Sequence, residues 1–215
     1  FDEVDGYPPS AGTEGDQIKL GIRRTEYYWN RKIVAGSTPT VQDFSRIEKL
    51  FSESDQRRYY VPCPECGEMQ YFVWNNIKWQ GNDLNTASYC CKSCGVFIPH
   101  SKKRWMVERG EWRPTAEGNG KHVGFHIWAG YSYSPNAEWS NLVEEFLLSK
   151  NDPEQLKTWI NTTLGECWEE ITTDLTFEGF PSTYSNVTWL FESGSIFLSF
   201  PDFLSSAISL KILCE

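Results

Sequence analysis

The sequence predicts an α/β fold with a parallel sheet near its start, a small cysteine-rich β module in its middle and a closing segment of helices. Three observations support this prediction: a strand–helix–strand order in the first forty residues, a duplicated cysteine motif, and two well-marked helical patterns. The chain has 215 residues, of which 40% are hydrophobic and 23% are charged. This composition excludes wholesale disorder, and the length allows one large domain or two small ones.

The first part of the chain predicts strand, helix and strand. Residues 16–30 favour a helix with Asp16 as its N-cap, and the apolar run Ile33-Val34-Ala35 is short enough for a buried strand. This order is typical of a right-handed crossover between parallel strands. The charged and periodic residues 43–58 then predict a helix that leads out of the sheet.

The middle of the chain predicts strands, and the later part predicts helices. Residues 59–99 hold five of the seven cysteines and alternate aromatic with polar side chains, which favours a β module. Asp152 is suited to N-cap a helix that starts at Pro153, and Gly165 is suited to end it. The expected elements after the module are a short helix at 102–108, a strand at 123–129, and helices at 139–150 and 152–165.

Residues 63–67 and 91–95 repeat the pattern Cys-x-x-Cys-Gly. Two thiolates separated by two residues can face one ion, because the turn between them directs backbone amides at the sulfurs. The glycine that follows accommodates the unusual backbone angle of such a turn. Four thiolates complete a tetrahedral structural zinc site and leave no open position for catalysis. The sequence therefore predicts that structural Zn²⁺ is bound by Cys63, Cys66, Cys91 and Cys94.

Disulfides are the alternative for these cysteines. An odd total of seven and the duplicated spacing favour a metal and a reducing compartment. Cys90 would replace Cys91 as a ligand only by breaking the two-residue spacing, so we interpret it as a neighbour. Cys167 and Cys214 have no partner by spacing and are interpreted as ordinary thiols.

The acidic pair Asp2-Glu3 resembles the end of a Walker B strand. In such sites the Asp orders the water shell of Mg²⁺ and the Glu polarises the water that attacks a phosphate. Ser37 and Thr38, at the end of the next predicted strand, are placed to sense a phosphate across the crevice. The alternative is a buried strand that ends in a Ser-Thr-Pro turn. No Gly-x-x-x-x-Gly-Lys-Ser/Thr phosphate loop occurs in the chain.

The net charge of −9 disfavours binding to nucleic acid through bulk charge alone. Arg57-Arg58 and Lys102-Lys103-Arg104, beside the aromatic strand, form the best local candidate for a DNA-facing patch, with a solvated basic cluster as the alternative. Arg23 and Arg24 are candidates for reaching a nucleotide in a neighbouring subunit, with solvated helix charges as the alternative.

The order of these motifs resembles the large terminase subunit of tailed phages, the GpA-type DNA-packaging ATPase and nuclease. The resemblance is nearly continuous from Phe1 to about Glu170, and the collinearity of its motifs makes it specific. The matching segments are DEVDGYP from Asp2, IVAGSTPT from Ile33, SRIE from Ser45, SDQRRYYVPCPECG from Ser54, YCCKSCG from Tyr89, GEW from Gly110, GFHI from Gly124 and NTTLGE from Asn161.

The resemblance implies the distal part of a P-loop (ASCE-type) ATPase parallel sheet with an inserted four-cysteine zinc ribbon. It implies that Asp2 is the Mg²⁺-associated Walker B acid and that Glu3 is the catalytic glutamate. Ser37 and Thr38 look like the coupling motif that links hydrolysis to DNA movement. The implied segments are 1–58 for the distal half of the ATPase domain, 59–100 for the ribbon, 101–170 for the rest of the ATPase region with linker helices, and 171–215 for an atypical tail that does not match the expected nuclease domain.

The function implied is that of part of a phage or prophage terminase large subunit. Such a protein couples ATP hydrolysis, with Mg²⁺, to packaging of double-stranded DNA into the capsid, and it cleaves the DNA concatemer. The implied partners are double-stranded DNA, the small terminase subunit, the portal or procapsid, and further copies of the large subunit. We expect the host cytoplasm as location and no membrane span, because Pro201 and Asp202 interrupt the apolar residues 193–213.

The resemblance also implies that this chain is a fragment. The Walker A loop would precede Phe1, and the nuclease domain would continue after Glu170, so we expect the isolated chain to be inactive as an ATPase and endonuclease. The alternative is a non-catalytic zinc-ribbon module that binds DNA or a packaging partner.

Overall fold

The computed structural model describes residues 1–170 and the backbone of residues 209–214. The predicted atypical tail, 171–215, therefore lies outside the described residues except for that one strand. The α-helices are α1 (Gln17–Thr25), α2 (Arg46–Ser52), α3 (Lys103–Val107), α4 (Trp139–Ser149) and α5 (Pro153–Trp159). The strands are β1 (Lys32–Ser37), β2 (Arg57–Pro62), β3 (Met69–Tyr71), β4 (Ile77–Gln80), β5 (Asp83–Cys90), β6 (Phe97–Pro99), β7 (Glu111–Arg113), β8 (His122–His126) and β9 (Ser209–Cys214).

The larger sheet has the strand order β1-β9-β8-β2-β3, and β7 also pairs with β2. Strand β8 runs parallel to β2, whereas β9 is antiparallel to both β1 and β8. Strands β3 and β7 are also antiparallel to β2. The chain is therefore a mixed α/β protein.

The prediction of a parallel sheet is correct only in part. Asp2 forms a parallel bridge with Gly36 of β1, and helix α1 lies between them in the sequence as a crossover requires. Elsewhere short connections decide the direction: the turn that joins β2 to β3 is too short for a crossover, so these strands must be antiparallel. The sequence pattern predicted parallel pairing only for the first two strands and gave no direction for these later pairs.

A second, three-stranded sheet has the order β4-β5-β6 and is antiparallel throughout. Tyr89 of β5 pairs with Ile77 of β4 on one side and with Ile98 of β6 on the other. This sheet and the β2–β3 pair carry the cysteine motifs, which confirms the predicted β module.

Helix α1 begins as predicted but is shorter than the predicted 16–30. The Asp16 side chain caps it by accepting a hydrogen bond from the Lys19 N–H at 2.9 Å. The helix ends at Thr25, and Tyr28 and Arg31 then close successive i→i+3 turns on Thr25 and Tyr28. Because the residues beyond Thr25 are exposed, no buried surface supports further helical turns.

Helix α2 occupies only the centre of the predicted range 43–58. Ser45 caps its start by accepting a hydrogen bond from the Glu48 N–H, in the spacing of a capping box. Asp43 has a φ of 67° and is not helical. The predicted range was too long at its other end because residues from Arg57 onward pair with neighbouring strands.

The later helices follow the sequence prediction closely. The Asp152 carboxylate accepts hydrogen bonds from the N–H groups of Glu154 and Gln155, and Pro153 takes the first helical position. The last turn, Ile160–Leu164, is a π-helix that ends at Gly165, whose N–H bonds the Ile160 carbonyl at 2.8 Å. Helices α3 and α4 and strand β8 also lie where helices and a strand were predicted.

The described residues form two apolar cores of different size. The larger core joins the cysteine-rich module to α4 and α5, with Trp139 and Tyr89 fully buried at its centre. The smaller core lies under α1, α2 and β1 and contains the buried residues Val4, Ile18, Ala35 and Ile47.

Among the described residues, no helix is both long enough and apolar enough to cross a bilayer. The interrupted apolar residues 193–213 lie outside the described residues except for the backbone at 209–213.

Candidate metal centre and acidic site

Two turns of the same geometry present the four cysteines of the Cys-x-x-Cys-Gly motifs. In the first, the Gly67 N–H bonds the Cys63 carbonyl at 3.0 Å, and in the second the Gly95 N–H bonds the Cys91 carbonyl at 3.0 Å. Gly67 has a φ of 75° and Gly95 a φ of 72°, a conformation that glycine adopts without steric cost. The duplicated sequence therefore encodes a duplicated backbone turn.

The four sulfurs, which we call the cysteine cluster (Cys63, Cys66, Cys91 and Cys94), all lie within 4.8 Å of one another. The Sγ–Sγ distance is 3.9 Å between Cys63 and Cys94 and 3.8 Å between Cys66 and Cys91. Tetrahedral Zn–S bonds of about 2.3 Å separate two sulfurs by about 3.8 Å. The cluster thus has the size and ligand type that a tetrahedral Zn²⁺ requires.

Hydrogen bonds to Cys91 favour its thiolate form. Burial alone would raise the pKa of Cys91, but the backbone N–H groups of Cys94 and Ser93 and the amide of Gln70 outweigh it and lower the pKa to about 6. The Gln70 Nε2 lies 3.2 Å from the Cys91 Sγ, and its Oε1 accepts a hydrogen bond from the Lys92 N–H. Gln70 is buried, so it fixes the second turn from a neighbouring strand.

Cys90 and Cys167, the other two cysteines whose side chains the structure describes, lie outside the cluster, as the sequence spacing predicted. Cys90 points its sulfur at the Gly95 and Cys91 carbonyls, and Cys167 is buried elsewhere. All six cysteines among the described residues are free thiols, so this structure does not contain the disulfide alternative. Cys214 belongs to β9, where only the backbone is described.

A second group of polar side chains, the acidic edge (Asp2, Glu3, Asp5, Ser37 and Thr38), lies where two neighbouring parallel segments end. The Gly36 N–H bonds the Phe1 carbonyl at 3.0 Å, which aligns residues 1–2 with β1. The Ser37 Oγ lies 3.5 Å from the Glu3 Oε2. Asp2 and Glu3 are exposed, and Ser37 and Thr38 are half-buried.

Asp5 contributes to the acidic edge and was not identified as a site residue from the sequence. Its backbone N–H bonds the Ser37 Oγ at 3.1 Å, and its carboxylate accepts hydrogen bonds from the Thr40 hydroxyl and the Ile47 N–H. Asp5 therefore connects the acidic edge to α2. The DEVDGYP motif contained it, but its spacing gave no indication of this role.

The candidate DNA-facing basic patch is exposed only in part, at Lys102 and Arg104. Lys103 is 3% exposed and donates to the Ala137 carbonyl at 2.9 Å, and burial lowers its pKa to about 8. Arg58 is half-buried and contacts the His126 Nδ1. Lys103 and Arg58 therefore do not belong to an exposed patch, because sequence clustering of cations does not reveal which of them face the core.

Arg58, His126 and Glu166 form a polar group inside the fold that the sequence analysis did not identify. Burial lowers the pKa of Arg58 and holds the pKa of His126 well below its usual range. Burial raises the pKa of Glu166 to about 7, against the opposing effect of the Arg58 charge. His126 lies in the motif GFHI and Glu166 lies in the motif NTTLGE, two segments that match the terminase family. Their place in these motifs is the sequence signal that could have indicated a role for both residues.

Comparison with known proteins identifies two adjoining families. Residues 1–112 match the family described as phage terminase large subunit gpA, ATPase domain. Residues 122–179 match the family described as terminase large subunit gpA, endonuclease domain. The second match begins within the segment 101–170 that the sequence analysis assigned to the rest of the ATPase region.

Two curated relatives carry the name terminase, large subunit. The protein of Enterobacteria phage P21 is 36% identical over 193 residues, and that of Escherichia phage lambda is 32% identical over 194 residues. Each alignment covers 79% of this chain and 30% of the relative, so the chain spans about a third of their length. No solved structure matches the chain. With a family match over more than half of its residues, the chain belongs to the gpA family of phage terminase large subunits.

Proposed function

We propose that this chain is part of a DNA-packaging motor whose full-length form hydrolyses ATP with Mg²⁺ to drive double-stranded DNA into a capsid and cleaves the concatemer. One observation carries the ATPase proposal: Glu3 and Ser37 meet at 3.5 Å where two neighbouring parallel segments end. Ligands of open α/β sheets bind beyond such carboxyl ends. The match of residues 122–179 to the endonuclease family supports the cleavage function.

In this proposal Asp2 is the acid associated with Mg²⁺ and Glu3 is the catalytic glutamate. Magnesium is commonly held by one or two carboxylates together with water and phosphate oxygens, so one exposed Asp is a sufficient protein ligand. Glu3 has a φ of 52° and a ψ of 50°, a left-handed conformation that is unfavourable for a non-glycine residue. Backbone strain of this kind concentrates at functional sites, which supports the role given to Glu3.

Ser37 and Thr38 form the proposed coupling motif. The Ser37 Oγ contacts the Glu3 carboxylate, accepts a hydrogen bond from the Asp5 N–H and contacts the Thr38 carbonyl at 3.1 Å. A change in the charge or position of Glu3 would therefore alter the hydrogen bonds at the end of β1. Asp5 would carry that change to α2 through its bond to the Ile47 N–H at 2.8 Å.

The cysteine cluster is proposed to bind structural Zn²⁺ through all four thiolates. This proposal is supported by sulfur separations of 3.8 and 3.9 Å and by the two matching turns. We retain residues 1–58 as the distal ATPase part of a P-loop sheet and 59–100 as the ribbon. The family matches support a boundary between the ATPase and endonuclease regions at residues 112–122. This boundary lies inside the third proposed segment, residues 101–170. Residues 171–215 remain the fourth proposed segment.

The partners follow from the proposed motor: double-stranded DNA, the small terminase subunit, the portal or procapsid and further copies of the large subunit. The isolated 215-residue chain is proposed not to hydrolyse ATP, because no Gly-x-x-x-x-Gly-Lys-Ser/Thr loop occurs in it to hold the phosphates.

The ATPase proposal is tested by Glu3→Gln in the full-length protein. We expect the variant to bind ATP but to lose roughly 10²- to 10⁴-fold in kcat, as for removal of a general base. The matched control is Glu14→Gln, which changes an exposed glutamate in a nearby loop and should retain normal turnover. Equal loss of activity in both variants, or normal activity in Glu3→Gln, would contradict the role of Glu3.

The second candidate function is a non-catalytic zinc-ribbon module that binds DNA or a packaging partner. The observation that favours it is that the cysteine cluster is complete within residues 63–94, whereas the acidic edge has no phosphate loop in this chain. Adding purified 215-residue chain to an active full-length motor distinguishes the two. Competition with packaging at unchanged ATPase turnover supports the module, and no competition argues against it.

A further inference from the structure

The turn between α1 and β1 carries three exposed aromatic side chains. Tyr27 and Trp29 are each 93% exposed, the highest values among the large hydrophobic residues that the structure describes, and Tyr28 is 61% exposed. The rings of Tyr27 and Tyr28 stand edge to face with centroids 5.9 Å apart. We call this segment, with its flanking cations, the aromatic tip (Arg23, Arg24, Tyr27, Tyr28, Trp29 and Lys32).

The aromatic tip is not explained by packing. None of its three rings belongs to either apolar core of the described residues. Exposing three large rings to water is unfavourable, and such exposed apolar groups commonly mark a binding surface. The turn itself is well defined by backbone hydrogen bonds from Tyr28 to Thr25 and from Arg31 to Tyr28. The rings are therefore held at the surface by an ordered backbone.

The charge of the aromatic tip is opposite to that of the whole chain. Arg23, Arg24 and Lys32 are exposed, and the only acid between them is Glu26, which pairs with Arg23 at 3.2 Å. The chain as a whole has a net charge of −9. Cations at both ends of an aromatic turn would attract a negatively charged ligand to the rings.

We propose that the aromatic tip binds unpaired nucleotides, with bases stacked on Tyr27 and Trp29 and phosphates paired with the flanking cations. Surfaces that bind single strands combine aromatic faces with basic side chains in this way. The cations that flank the rings favour the phosphates of a nucleic acid. Because binding hot spots between proteins are also rich in Tyr, Trp and Arg, self-association is included as an outcome of the test.

This surface is separate from the acidic edge. The tip lies at the start of β1 and Ser37 lies at its end, so about 17 Å of strand separates them. The inference therefore does not depend on the proposed nucleotide chemistry, and its test uses neither ATP nor Mg²⁺. A failure here would leave the Glu3→Gln experiment unaffected, and the reverse also holds.

The test measures binding of a fluorescein-labelled oligothymidylate of 15 nucleotides to the 215-residue chain by anisotropy. A blunt duplex of 20 base pairs is measured in parallel, at several salt concentrations. We expect the single strand to bind more tightly than the duplex, because only unpaired bases expose both faces for stacking.

Two variants separate stacking from charge. Tyr27→Ala combined with Trp29→Ala should weaken oligothymidylate binding roughly tenfold or more, since each stacked base contributes strongly to affinity. Arg23→Gln combined with Arg24→Gln should weaken binding and reduce the slope of log K against log salt by about 1.4, at about 0.7 per phosphate contact.

The matched control is Tyr133→Ala, which removes an exposed tyrosine beside Arg104 on another part of the surface. It should leave oligothymidylate binding unchanged. Since all substituted side chains are exposed, far-UV circular dichroism should match the parent chain. Equal binding by the Tyr27/Trp29 variant, or a preference for duplex, would overturn the proposal. A third outcome would also overturn the proposal: no binding of oligothymidylate, together with self-association of the chain that the Tyr27/Trp29 substitutions abolish. That outcome would assign the aromatic tip to a protein interface.

Discussion

The cysteine cluster and the acidic edge reach their geometry in different ways. In the cysteine cluster, two turns of identical local hydrogen bonding set the positions of all four sulfurs. In the acidic edge, the Glu3–Ser37 contact exists only because separate segments align as parallel strands. The comparison teaches that a site made of short local motifs can be inferred from spacing, whereas a site made at a sheet edge depends on tertiary pairing.

The largest expected effect tests whether the cysteine cluster organises the larger core. Cys63→Ser combined with Cys66→Ser should abolish zinc binding, because two of four ligands are lost. Structural zinc contributes roughly 10–16 kcal/mol in zinc-finger peptides, as much as or more than the roughly 5–15 kcal/mol that stabilises a typical domain. We therefore expect the variant to lose cooperative thermal unfolding, measured by circular dichroism alongside metal analysis.

The control for the metal experiment is Cys90→Ser, which alters the thiol next to Cys91 but outside the cluster. It should retain about one zinc per chain. Less than about half a zinc per chain in the unsubstituted protein would contradict the metal assignment, and normal zinc content in the double serine variant would contradict the choice of ligands.

The next prediction compares the two apolar cores. Trp139 is fully buried against Phe72, Tyr89 and His100, so Trp139→Ala should cost about 3–5 kcal/mol of unfolding free energy. Changing Ile47, which is fully buried in the smaller core, to Ala should cost about 2–5 kcal/mol. We expect a smaller loss than for Trp139→Ala, because a smaller side chain is removed. Urea unfolding of both variants measures the difference, and a larger loss for Ile47→Ala would reverse our ranking of the cores.

A third prediction concerns pH and the group formed by Arg58, His126 and Glu166. Burial raises the pKa of Glu166 from its ordinary value near 4.5 to about 7, so the folded state binds a proton more tightly than the unfolded state. Glu166 therefore favours folding below about pH 4.5, and this contribution is lost as the pH rises towards 7.

The pH prediction is tested with Glu166→Gln. Between pH 5 and pH 8 the unfolding free energy of the variant should rise relative to the parent chain, by up to about 3 kcal/mol. Glu169→Gln, an exposed position three residues further on, is the matched control and should follow the parent at every pH. A difference between Glu166→Gln and the parent that does not change with pH would contradict the assigned pKa.

The smallest expected effect tests whether the backbone at Glu3, in the acidic edge, is strained. Glu3 has a positive φ of 52°, so Glu3→Gly should relieve backbone strain and raise the unfolding free energy by up to about 1 kcal/mol. The comparison variant Glu14→Gly changes another exposed glutamate, one whose φ is not positive, and should not stabilise the protein. Destabilisation by Glu3→Gly would show that its contact with Ser37 outweighs the strain.

The sequence revealed some features of the fold and site but not others, for physical reasons. The cysteine ligands and the Asp152 cap depend on spacing within a few residues, so they could be inferred directly. The mixed sheet could not be inferred, because β7 and β9 gain their partners from distant parts of the chain. The burial of Arg58 was missed for the same reason, since its contact with His126 arises from pairing between β2 and β8.

Strand β2 has a mechanical consequence for a protein proposed to act on DNA. Cys63 follows directly after the last residue of β2, and the same strand is hydrogen-bonded to β3, β7 and β8. No flexible linker separates the first cysteine turn from the larger sheet. Because β3 belongs to the ribbon itself, a pulling force on the ribbon would be borne by the hydrogen bonds of β2 with β7 and β8. The ribbon would then transmit load to the sheet without a hinge.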